Sequence, residues 1–428
     1  MISFWRIFWL ELVALTRSKT VLLLTAASAV WMLAFPYLAK GDGTEGGARV
    51  LGIHYSLGGV FVLLVVALLA SATGCLASER AAKRLQLTMV RPVRHFIIVF
   101  GKIVAQVAVG AFVLAVACGI LAAQIGLSRP CNHVLSPVLP SPREEAKTMY
   151  DVFMNDPDTP AAAKKAKKEV VLRLLTQRAV DHYQTIPTNS TVTWKFDPSS
   201  LIPHPSSLSV RMRFTNQFEM RQDVIGDFRL GDMRGAVSNI TQAVLTVPLN
   251  PQPSTLNPQP STLNSQPSTL SFVNRGKSTL MLRPRKDIHL LLPADAFGWN
   301  LLRAYLGMVA VLMLVVSLGV FLSASLGRPV ALFVAFVALI VGEMSPSVIQ
   351  QYPDELETNV ADRIGLYITR FAVEVTRPVS TLSPLESLAN DECVEPQGLL
   401  KTICGDVLVL PVLLSLLAAF ILPRKQEE

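Results

Sequence analysis

One string in the chain looks like the end of a nucleotide-binding loop: Gly276-Lys277-Ser278-Thr279. A phosphate loop also needs a glycine five residues before Gly276 and a helix whose N-terminus meets the phosphate. Ser271 stands at that position, and both flanks read as strands. No nucleotide site is therefore expected here. The sequence holds no H-E-x-x-H, C-x-x-C or G-x-S-x-G pattern either. His54, His95, His133, His182, His204 and His289 are scattered singly, and a lone histidine is usually structural. Cys75 and Cys118 fall inside apolar runs and read as small packing residues. Cys393 and Cys404 are disulfide candidates, and Cys131 is open to pairing with either. No catalytic group, cofactor or metal ligand set is expected in the chain, so it reads as no enzyme.

What remains is the segment 79–102, ERAAKRLQLTMVRPVRHFIIVFGK. It is basic and amphipathic. A short helix there would break at Pro92 and turn into an apolar run near Gly101. Arg91 and Arg94 would then face an acidic partner surface or phospholipid headgroups. The plainer reading is a basic anchor, which needs charge but no particular order.

The elements around this segment are set by composition. The chain has 428 residues, 51% hydrophobic and only 16% charged, with net charge +8. Soluble domains usually carry about 25% charged residues. Purely soluble, collagen-like, wholly disordered and small secreted classes are excluded, and the basic balance points to membrane-side loops rather than nucleic acid. A spanning helix needs about 20 mostly apolar residues. Six runs approach this: 20–38, 55–77, 97–125, 304–325, 329–348 and 405–422. The fifth is weakened by Glu343 and Pro346, and the sixth starts beside Asp406. Residues 1–19 read as an amphipathic helix lying in the membrane interface, with Trp5 and Trp9 at headgroup depth. The alternative is a first span that begins early.

Orientation follows from basic residues in short loops. Arg6, Arg17 and Lys19, the 79–94 cluster, Arg328, and Arg424 with Lys425 fall on one side if both termini are cytoplasmic. The outer loop 349–402 is then acid-rich. The divisions are 20–126 for three spans, 127–296 for an outer domain, 297–348 for two more, and 403–428 for the last span and tail.

Residues 127–296 regain Pro, Ser, Asn and charge. Residues 142–184 read as helical, and Lys164, Lys165, Lys167 and Lys168 as a solvated helix face rather than a lipid dock. From Thr191 the period becomes two, giving strands over 191–196, 210–214, 239–247 and 278–293. A seven-residue repeat, LNPQPST, fills 249–270 and reads as an extended insertion between strands. The expected fold is an α-helical polytopic membrane protein of six transmembrane helices, with an inserted mixed α/β, mainly antiparallel-β, extracytoplasmic domain.

The order within 79–102 resembles the loop after the second span of type-2 ABC transporter permeases. Glu79-Arg80, Leu85, Leu87, Pro92-Val93, Phe96, Ile98 and Gly101-Lys102 follow that family's pattern without a gap. Lys83-Arg84 departs from the Gly-Thr common there, and Pro384-Leu385-Glu386 resembles a short family motif before the last span. The resemblance implies a permease half of an exporter, paired with a second permease and with separate ATP-binding subunits that hold ATP and Mg. Loop 78–96 would be the coupling element, and Glu79, Arg80, Leu85, Leu87, Arg91, Pro92, Arg94, Gly101 and Lys102 would serve the ATPase contact. The alternative is a non-transporting membrane anchor or sensor that presents 127–296 to a ligand or partner.

Overall fold

A computed structural model describes residues 2–17, 19–38, 50–83, 94–157, 166–180, 182, 184–197, 208–213, 224–231, 233–240, 244–251, 269–349, 365, 367 and 384–424. In chain order they form helices α1 (Ile2–Thr16), α2 (Lys19–Leu38), α3 (Gly58–Ala81, entered through a π-turn at Gly52–Leu57) and α4 (His95–Ile125). Next come strand β1 (Pro130–Leu135) and helices α5 (Pro142–Asn155) and α6 (Lys168–Val180). Strands β2 (Gln184–Ile186), β3 (Thr191–Lys195), β4 (Leu208–Arg213), β5 (Val224–Leu230), β6 (Met233–Ile240) and β7 (Val244–Pro251) follow. After them are β8 (Thr269–Asn274), β9 (Leu280–Leu282) and β10 (Ile288–Ala296). Helices α7 (Phe297–Ser325) and α8 (Arg328–Ile349), two short helices at Leu385–Ala389 and Pro396–Thr402, and α9 (Val409–Arg424) follow. It divides into two compact units, residues 132–294 and the rest.

The helical unit is built around α7. That helix has no charge between Arg303 and its end, and α3, α4 and α9 pack on it. Small residues set the approach, as is usual where apolar helices meet without a hydrophobic drive between them. A Cβ at Gly319 would come within 2.7 Å of Ala72, and one at Gly110 within 2.6 Å of Leu68. Among the described residues four helical stretches are long and apolar enough to cross a bilayer: Gly52–Ala81, His95–Ile125, Phe297–Ser325 and Pro396–Leu422. The expected count of six is corrected. The run 20–38 continues α1 across a 62° bend, and the pair makes at most a fifth span. In α8 the apolar part is short, Arg328–Ile340, with Glu343 and Pro346 beyond it.

A peripheral segment is pinned to the same unit. Leu385, Leu388 and Ala389 are buried in the helical core. The buried Asn300 side chain donates to the Glu392 carbonyl (2.8 Å) and accepts from the Val394 amide (2.7 Å). Cys393 forms a disulfide with Cys131. Of the pairings left open by the sequence, the Cys393–Cys404 candidate is thus set aside, and Cys404 is free and exposed. It lies in the π-turn Ile403–Val407, on the helix that leads into α9.

The second unit is an antiparallel sheet of eight strands in the order β1-β10-β4-β7-β6-β5-β8-β3, with β2 and β9 paired separately. Alternation drives it. Leu208, Val210 and Met212 of β4 are buried, as are Val224, Gly226, Phe228 and Leu230 of β5, while the alternate residues are more exposed. Phe228 and Phe272 meet across β5 and β8 with ring centroids 4.6 Å apart. The stretch expected as one strand over 239–247 is the end of β6 and the start of β7. That expected over 278–293 is cut by a helical turn at Pro284–Asp287, because proline removes a ladder donor. The stretch 142–184, read as helical, holds two helices, α5 and α6, and ends at the first residue of β2. They pack on each other through Ala146, Val171 and Leu175. Lys164 and Lys165 and repeat residues 252–268 lie outside the described residues.

Candidate functional site

The two ends of segment 79–102 meet. Glu79 is in the last turn of α3 and Lys102 in the first third of α4. The Lys102 ammonium donates to Glu79 Oε1 at 2.7 Å and to Glu11 Oε2 of α1 at 2.8 Å. The lysine side chain is only 6% exposed. Taking an ammonium out of water costs several kcal/mol unless it is paired and hydrogen-bonded. Two carboxylates converging on one ammonium meet that requirement and tie α1, α3 and α4 together at one point. Cys75 lies one turn before Glu79, and its thiol reaches Glu11 Oε1 at 3.7 Å.

Arg80 points to a different neighbour. Its guanidinium donates to the Ala324 carbonyl at 2.6 Å and weakly to that of Ser323, at the C-terminal end of α7. A cation there satisfies carbonyls without helical partners and complements the helix dipole. Ser323 returns the contact, its hydroxyl accepting from the Leu76 and Ala77 amides. Adjacent residues of the Glu-Arg pair thus grip opposite sides: Glu79 holds α4 and α1, and Arg80 holds α7.

Gly101 is where α1 crosses α4. A Cβ there would press on Ile7 Cγ2 at 3.1 Å. Phe4 and Phe100 continue this contact with centroids 6.1 Å apart. Arg94 precedes the first residue of α4 in extended conformation and is exposed. Leu85, Leu87, Arg91 and Pro92 lie outside the described residues. Lys83 sits at φ +56°, a left-handed conformation that favours glycine and costs other residues about 1 kcal/mol. This is the position at which the sequence departs from the Gly-Thr pattern.

Four candidates, Glu79, Arg80, Gly101 and Lys102, therefore belong to one constellation. Glu11, within the stretch 1–19 read as an interfacial helix, was not among the residues expected here. Its signal was being the sole acid in an otherwise apolar stretch, a pattern that marks a buried partner. Gln106, one turn beyond Lys102, was also missed: it is 1% exposed, and neither amide atom has a partner among the described residues. Gly276–Thr279 lies in the turn between β8 and β9. Asn274 holds that turn by accepting from the Gly276 amide and donating to the Ser278 carbonyl. Among the described residues no group of three or more His, Cys, Asp or Glu is placed to hold a metal ion. No family model, curated protein or solved structure matches this chain. The site is therefore read from its own residues.

Proposed function

We propose that this chain is the permease subunit of an ATP-driven ABC transporter, energised by separate ATP-binding subunits through segment 79–102. The observation that carries the reading is the Glu79–Lys102–Glu11 contact. The loop between Glu79 and Lys102 is closed at its base by an ion pair inside an apolar helical unit. A push on the loop would reach α3, α4 and α1 together, and α7 through Arg80, rather than being absorbed by one flexible end. That is what a coupling element requires: bistable, packed parts that move as units.

Membrane placement is supported by the four apolar stretches and by α1, whose Trp5 and Trp9 are about two-thirds exposed beside Arg6. In this reading α1, segment 79–102 and both termini are cytoplasmic, and the sheet unit is on the outer side. The Cys131–Cys393 disulfide favours an oxidising compartment at that end. The transporter is an exporter of an amphiphilic or polymeric substrate, working as a homo- or heterodimer of permeases. A second reading, an anchor or sensor without transport, draws on the sheet unit's having a core of its own.

The test is mild-detergent extraction of the tagged chain from its native membrane, with mass spectrometry of what remains bound. A Walker-type ATPase in stoichiometric amount is expected. A stable chain that purifies free of any nucleotide-binding protein rejects the permease reading in favour of the anchor.

A further inference from the structure

The solvent face of the sheet carries an arrangement that folding alone does not favour. Arg229 of β5 stands directly opposite Arg234 of β6, one pair out from the turn that joins these strands. Both are exposed. Directly opposed side chains have Cβ atoms about 4.5–5.5 Å apart, and like charges there repel. Gly231 at φ +58° gives the tight turn that fixes this register.

The neighbours in the same row do not neutralise the pair. Arg234 is flanked by Asn250 on β7, and Arg229 by Ser271 on β8, which pairs in turn with Thr193 on β3. These side chains carry no charge, and the Ser271 hydroxyl donates to the Arg229 carbonyl at 3.3 Å. The acid two residues along β5, Asp227, is taken by Arg275 at 2.6 Å. Asp232, in the turn, lies outside the described residues. Over residues 184–294 there are 11 Lys and Arg against six Asp and Glu, and the Pro repeat 252–268 adds no charge.

We infer that Arg229 and Arg234 form a binding site for the phosphate of an anionic phospholipid headgroup, with Asn250 as a flanking donor. Two guanidiniums side by side match one multiply charged oxyanion, each able to donate two parallel hydrogen bonds. Bound phosphate turns the repulsion into attraction, so an arrangement costly to the empty protein is favourable to the complex. Lipid is the source because of connectivity. Residues 126–129 are all that separate α4 from β1, and β10 runs straight into α7. These links tether the sheet to helices able to cross a bilayer, where headgroup phosphate is the oxyanion at highest local concentration. The inference needs membrane association but not the permease reading, since it involves no ATPase.

The test uses the full chain in phosphatidylcholine nanodiscs at low salt, titrated calorimetrically with dihexanoyl phosphatidic acid. Dihexanoyl phosphatidylcholine and inorganic pyrophosphate are the comparison ligands. Phosphatidic acid is expected to bind more tightly than either, and R229Q/R234Q to weaken it about tenfold or more. Arg234→Glu, which places opposite charges across the strands, should abolish binding with an unfolding midpoint no lower than wild type. Three results would overturn the site: unchanged affinity in the double glutamine variant, binding retained in Arg234→Glu, or a lowered midpoint for it. Pyrophosphate binding as tightly through the same arginines would overturn the assignment to lipid.

Discussion

Lys102 shares one positive charge between two carboxylates, and its removal should tell more than its presence. Lys102→Met would leave Glu11 and Glu79 facing each other with no cation. A loss on the order of 3 kcal/mol is expected, since breaking a buried pair strands its partners. The triple variant K102M/E11Q/E79Q should recover most of it. Denaturant unfolding in micelles measures both, and a K102M protein as stable as wild type would remove the triad from the account. His289 gives a second prediction at this scale. Burial holds its imidazole below the ordinary value of 6.5, with Nε2 donating to the Lys286 carbonyl and Arg211 opposite. The unfolded chain therefore binds the proton more readily. The stabilising contribution is present above 6.5 and is lost as pH falls through that value toward the folded pKa. Melting curves at pH 5 and pH 7 should show a drop that His289→Asn reduces. Lys102 and Glu79 were legible in the sequence through their order. Glu11 was not, because it comes from a helix 68 residues before Glu79, and spacing along one segment says nothing of what crosses it.

Helices and strands were read unevenly, and periodicity explains why. Strands β3 and β4 announced themselves through alternation over 191–196 and 210–214, although β4 begins two residues earlier, at Leu208. The break between β6 and β7 did not, because residues 239–247 contain no glycine or proline before Pro248. Hydropathy alone also overcounted spans. Glu343 and Pro346 already weakened the run 329–348, and the apolar helix there is short, Arg328–Ile340. Packing and capping carry two predictions for these elements. Gly319→Val would collide with Ala72 of α3, costing about 1–3 kcal/mol. The same substitution at Gly119, whose Cβ would meet nothing within 4 Å, should be nearly neutral. Thermal unfolding of the two variants side by side is the check. In α5, Ser141 accepts from the Glu144 amide, and Glu144 reaches back to the Ser141 amide. That bond holds the Glu144 carboxyl below its usual range. Ser141→Ala should cost about 1 kcal/mol, seen as faster hydrogen exchange over the first turn of α5.

At the scale of the whole chain, the change in composition near residue 127 and its reversal near 296 made two parts legible, and the structure separates 132–294 as its own unit. What composition could not give was the tie of 384–402 to the helical unit. Asn300, Cys131 and Cys393 are single residues far apart in sequence. In the coupling reading, the loop closed by Glu79 and Lys102 receives force from an ATPase. The measurement that bears on it most directly is ATP hydrolysis by the detergent-purified complex, comparing wild type with R91E/R94E. The double variant is expected still to insert and fold but to lose both the bound ATPase and its hydrolysis. Hydrolysis and co-purification equal to wild type would contradict it and leave the Glu79–Lys102–Glu11 triad as a structural clamp alone.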